Sequence, residues 1–169
     1  LLKDLDAKLI NIEGGNMRNA IPREGVAYIA VPEAKLAEAK ALVAKVEAEV
    51  KVEYAATDKD AKVFLEDAPV AAEAICDKVA LALCRALYAC PNGVERMSDA
   101  MPGLVETSNN MAIVKSENGT IKVHSLMRSS VDTAKDDLAE RMRAVFELAG
   151  AEIAFSGGYS GWAPNMASP

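Results

Sequence analysis

Arg128 closes a strand-like run, Thr120 to Arg128, immediately before the start of a helix. A helix N-terminus carries unpaired N–H groups that already favour an anion. A guanidinium beside it can grip a carboxylate through two parallel hydrogen bonds. Spacing alone leaves a second reading open, a strand-end arginine in solvent. Asn19 lies in the polar link Gly14-Gly15-Asn16-Met17-Arg18-Asn19-Ala20-Ile21-Pro22-Arg23-Glu24. An asparagine there ordinarily makes a turn. His124 is the one histidine of the chain, and no second ligand follows it at a metal spacing. One imidazole cannot build a zinc site, and no nucleophile stands near it in sequence. Asp136, Asp137 and Glu140 fall in the first half of a helix, where acids suit the dipole and a solvated face. Gly14-Gly15 follows a strand but precedes another strand, so it fails the context of a phosphate loop. These residues supply no catalytic group and no metal ligand set.

The elements that position them can be read from periodicity. Residues 6–13 and 25–31 read as strands on either side of the polar link. Pro32 opens a helix running to about Ala55, with Leu36, Ala39, Val43, Val46 and Val50 at helical spacing. Residues 62–66 read as a short strand. Asp67-Ala68-Pro69 starts an apolar helix that ends near Cys90. An irregular stretch follows to Gly103. Strands 104–115 and 120–128 flank Asn118-Gly119, a hairpin signal because both residues tolerate positive φ. Ser129 or Ser130 caps the next helix, with Asp132 in capping-box position. Gly150 stops that helix, and residues 151–155 read as a last strand.

Leu1-Leu2-Lys3-Asp4-Leu5 reads as the tail of a helix. Both halves, about 1–66 and 67–156, then run helix-strand-strand-helix-strand. The expected fold class is α+β: an antiparallel sheet with helices on one face, in two ferredoxin-like halves. Residues 157–169, rich in glycine and holding the single tryptophan, read as a linker toward a further domain.

Bulk properties agree with a folded domain of this size. The 169 residues are 51% hydrophobic and 26% charged, with mean hydropathy +0.05. A net charge of −6 and no basic stripe argue against a nucleic-acid partner. No apolar run reaches spanning length, which argues against a membrane segment. Cys76 and Cys84, if both in one helix, stand roughly 12 Å apart along its axis, too far for a disulfide. Buried thiols in a reducing cytoplasm are the expected state of Cys76, Cys84 and Cys90.

Four blocks in order carry a resemblance: the Gly14–Glu24 link; Pro91-Asn92-Gly93-Val94 with Val105-Glu106-Thr107-Ser108; Ser125-Leu126-Met127-Arg128-Ser129; and Gly158-Tyr159-Ser160-Gly161-Trp162-Ala163-Pro164-Asn165. Together they resemble the aminoacyl-histidine dipeptidases, zinc metallopeptidases that cleave Xaa-His dipeptides. The resemblance implies that residues 1–156 are the lid, or dimerisation-type, domain. It places the two zinc ions and the glutamate base of such an enzyme in a catalytic domain outside this chain, and a lid histidine upstream of Leu1. It assigns Asn19 and Arg128 to substrate binding, Arg128 on the terminal carboxylate of a dipeptide substrate. It implies that this segment binds no cofactor and is inactive alone, that its partners are the dipeptide substrate, its own catalytic domain and, in a homodimer, a second copy, and that the protein is cytoplasmic. The other reading of the same residues is a free-standing small-molecule-binding or oligomerisation module without activity.

Overall fold

The computed structural model describes residues 2–162. Its elements are β1 (Lys8–Gly14), β2 (Gly25–Ala30), a 3-10 turn (Glu33–Lys35) opening α1 (Leu36–Glu53), α2 (Asp77–Ala89), β3 (Gly93–Met97), β4 (Val105–Glu117), β5 (Thr120–Ser129) and α3 (Asp132–Leu148). The expected α+β class with an antiparallel sheet is what the chain adopts. Two compact units divide it: residues 1–11 with 27–77, and residues 12–26 with 78–169.

In the first unit, Leu5, Ala7 and Ala39 form the buried core, with Leu2, Val31 and Leu42 against it. Residues 2–7 make a tight turn. The Ala7 N–H donates to the Leu2 carbonyl and the Asp6 N–H to Lys3, with Asp6 at φ 50°. This is the Schellman pattern that closes a helix, and Leu2 meeting Ala7 in the core is the apolar contact that accompanies it. On α1 the expected stripe holds for Ala39, Val43, Val46 and Val50, while Leu36 is exposed.

The second unit is built on β4. β5 pairs with it antiparallel from Glu117↔Thr120 to Thr107↔Ser129. Asn118 (φ 51°) and Gly119 (φ 73°) turn the hairpin, as their residue types require. The other edge of β4 is shared: the end of β1 pairs at Glu13↔Lys115 and Gly14↔Val114, and β3 pairs between Gly93↔Asn109 and Met97↔Val105. The core is Cys90, Leu138 and Met142, joined by Met111, Met127, Val145 and Phe146. The end of α2 and the inner stripe of α3 thus meet side chains of β4 and β5. Gly150 (φ 78°) ends α3 with the same two-bond closure, Gly150 N–H to Glu147 and Ala151 N–H to Phe146.

Several expectations fail for identifiable reasons. α2 begins at Asp77, not at Pro69. The alanine-rich residues before it favour a helix, yet the Ile75 N–H donates to the Leu9 carbonyl of β1, so a tertiary backbone bond overrides propensity there. Cys76 therefore precedes the helix and is exposed, Cys84 is half-buried, and only Cys90 is buried, where burial pushes its thiol pKa up. Residues 62–66 and 151–155 hold no strand. The stretch expected to be irregular contains β3, which gains its partner from β4. Val131, not a serine, caps α3. Ser129 and Ser130 are still engaged with the sheet, through the Thr107 hydroxyl (2.8 Å) and the Glu106 carbonyl (3.1 Å).

Leu138 is fully buried. Leu138→Ala is expected to cost about 2–5 kcal/mol in denaturant unfolding, by lost burial plus a cavity. Tyr88→Ala, at a side chain 95% exposed, is expected to stay within about 0.5 kcal/mol.

Candidate functional site

The candidate site is a cleft of about 1030 Å³ along β5, within the second unit. Arg128 and His124 reach it from β5, Ser108 from β4, Lys135 and Asp136 from α3, and residues 154–159 with Gly161 and Trp162 form a further wall. The pairing explains how Arg128 gets there. Directly opposed residues of antiparallel strands share a face, and so do residues two apart. Ser108 opposes Arg128 and Asn110 opposes Leu126, so these four side chains start on one face. Arg128 is exposed and makes no ion pair among the described residues, although Asp136 and Glu140 line the same cleft.

The strand end that carries Arg128 is fixed from below. Glu106 is buried and its carboxylate takes both Nε (2.8 Å) and a terminal nitrogen (3.2 Å) of Arg96. Its neighbour Thr107 shares a hydroxyl hydrogen bond with Ser129, and the Ser129 Oγ accepts the Val131 N–H at 3.0 Å. Arg128 is therefore anchored through the residues beside it.

Asn19 sits exposed in the turn formed when the Ala20 N–H bonds the Met17 carbonyl. It is not itself among the cleft's lining residues, but its neighbour Arg18 is. Local spacing singles out neither Arg18 nor Asn110. The Asn110 carboxamide donates to the carbonyls of Ala20 (2.8 Å) and Arg18 (3.3 Å), on either side of Asn19. A signal existed: Thr107-Ser108-Asn109-Asn110 is a polar run inside a strand, which breaks the expected alternation. His124 is an exposed strand residue, and Asp137 and Glu140 pair with Arg141 and Arg143 on the helix surface. Among the described residues no group of three or more His, Cys, Asp or Glu side chains could hold a metal ion. The described residues therefore do not fit zinc.

The N-terminus of α3, expected as an anion site, already carries a carboxylate of its own. Asp132 in its first turn accepts the Lys135 ammonium (2.9 Å) and the Gly161 N–H (2.9 Å). Lys135 also donates to the Tyr159 carbonyl at 3.0 Å. Gly161 passes so close that a Cβ there would stand 2.5 Å from the Ser129 carbonyl oxygen. Residues 159–161 are thus strapped to the start of α3. The part of the expected linker beyond Trp162 lies outside the described residues.

The Lys135 hydrogen bond, then the Gly161 N–H, holds the Asp132 carboxyl below its ordinary pKa of 3.8. A depressed carboxylate pKa adds stability above the ordinary value, and that stability is lost as pH falls through the folded value. The strap is therefore expected to loosen below about pH 4. The Gly161 amide proton, followed by NMR, should lose its hydrogen-bonded shift over that range. Asp132→Asn should abolish this titration.

Comparison with known proteins places these features. Residues 1–58 match the model of the peptidase dimerisation domain. The cytosol non-specific dipeptidase of Escherichia coli (strain K12) is 38% identical over 167 residues, 99% of this chain and 34% of that protein. The crystal structure of aminoacylhistidine dipeptidase from Vibrio alginolyticus superposes with a TM-score of 0.94 at 36% identity, over 99% of this chain and 34% of that one. The chain spans about a third of the length of each of these relatives. The resemblance to the aminoacyl-histidine dipeptidases thus extends to sequence and fold over about a third of such a protein, and residues 1–58 of this chain match the peptidase dimerisation domain.

Proposed function

We propose that this chain is the lid of a metal-dependent dipeptidase that cleaves Xaa-His dipeptides, with Arg128 holding the substrate's terminal carboxylate and Asn19 contacting the substrate. The observation that carries the reading is the Arg128 guanidinium, open in a cleft and unpaired among the described residues. A guanidinium left without a carboxylate of its own chain is available to a carboxylate that arrives. Its planar fork matches that group through two hydrogen bonds. Arg18, in the same cleft, adds a second positive charge to the local field.

The zinc ions belong, in this reading, to a catalytic domain outside this chain and would supply the chemistry of hydrolysis. What this chain does is bind and orient. A carboxylate fixed by Arg128 sets the direction in which the rest of the dipeptide lies. Held in one geometry, the scissile bond meets the catalytic groups without a search, which is where positioning lowers a barrier. Residues 1–156 form the lid and residues 157–169 lead toward the catalytic domain. The match of residues 1–58 to a dimerisation domain supports a homodimer. The cytosol in the name of the Escherichia coli relative supports the same compartment here.

In the full-length dipeptidase, Arg128→Ala removes a charge-assisted hydrogen bond, which is expected to lower kcat/KM roughly 10- to 150-fold. Arg128→Lys should rescue poorly, because an ammonium lacks the planar fork. Zinc content should stay unchanged. On a substrate whose terminal carboxylate is amidated, the difference between wild type and Arg128→Ala should shrink toward nothing. Equal losses on both substrates, or loss of zinc, would rule out the carboxylate clamp.

A further inference from the structure

We infer that Asn110 is the positioning residue for Asn19: its carboxamide fixes the 17–20 turn to β4 and so sets where Asn19 presents its side chain. This inference deepens the proposed function and rests on Asn19 being a substrate contact. The geometry is specific. Both Asn110 bonds run from Nδ2 to backbone carbonyls, Ala20 at 2.8 Å and Arg18 at 3.3 Å. The carboxamide NH2 group has two protons, one for each of these acceptors. The two carbonyls bracket Asn19, so the backbone is held on both sides of the residue whose side chain remains exposed. The turn has one backbone bond of its own, Ala20 N–H to Met17 at 3.2 Å. That bond lies at the upper end of the ordinary range, and the Asn110 carboxamide adds two further ties to the same turn.

The start of the same link is fixed independently. Gly15 (φ 71°) lies so close to β4 that an added Cβ would fall 1.8 Å from the Ala112 carbonyl oxygen. Ala112 is fully buried at the bulge where Met111 and Ile113 oppose the consecutive residues Ser125 and His124. The link is thus seated on β4 at Ala112 and tied again at Asn110. Two residues further along the same strand, Ser108 opposes Arg128. That interval is about 7 Å of strand. One stretch of β4 therefore sets the spacing between the two proposed substrate contacts.

The test uses Asn110→Ala and Asn110→Asp. Asp keeps the size and loses both donors. In this chain, followed by amide hydrogen exchange, both variants should speed exchange at Ala20 by roughly 5- to 150-fold, as expected for two lost hydrogen bonds. Amides of β5 and α3 should be unchanged. In the full-length dipeptidase, Asn110→Ala should raise KM or lower kcat in the same proportion as Asn19→Ala. The double variant should be no worse than Asn19→Ala alone, because Asn110 acts only through Asn19. Unchanged Ala20 exchange, or additive losses in the double variant, would overturn the positioning role. If Asn19→Ala is itself without effect, the substrate role of Asn19 fails and the positioning role falls with it, whereas the carboxylate-clamp reading of Arg128 is judged separately by the amidated substrate.

Discussion

The pairing of β4 with its neighbours is the constraint on which the rest depends. One edge of β4 is occupied along its length by β5, and the other is divided between β1 and β3. A strand bonded on both edges has little freedom to slip, because a one-residue shift would turn every side chain to the opposite face. The register delivers Arg128 opposite Ser108 and Asn110 beneath the 17–20 turn. The bulge at Ala112 resets the alternation between these residues and the hairpin end. It also presents the carbonyl over which only glycine can pass, and Gly15 occupies that place.

What could be read from the sequence was what local rules decide. Asn118-Gly119 fixed its turn because both residues must take positive φ, and Gly150 ended α3 for the same reason. The stripes of α1 and α3 follow from helical spacing, and Leu138 and Met142 are buried where that spacing puts them. What could not be read was decided by distant backbone partners. β3 exists because β4 offers it an edge. The residues before α2 are not helical because Ile75 is bonded to β1. Ser129 does not cap α3 because its hydroxyl is held by Thr107 and by the Val131 N–H. Arg128 stood out because a strand end before a helix is visible locally, whereas Asn110 acts across about 90 residues of sequence.

The disposition of charge around the cleft follows the same economy. Its carboxylates are largely spent within the fold. Glu106 is closed by Arg96, Glu140 by Arg143, and Asp132 beside the cleft by Lys135 and the Gly161 amide. Lys135 is spent too, on Asp132 and the Tyr159 carbonyl. Arg128 and Arg18 are left without ion partners among the described residues. Exposed pairs of this kind add little stability each. Their effect here is on placement: they hold Glu106, Glu140 and Lys135 to partners within the fold, while Asp136 and Arg128 line the cleft without an ion pair between them. The chain carries a net charge of −6, and its cleft brings Arg18, Arg128 and Lys135 together with Glu106, Asp136 and Glu140.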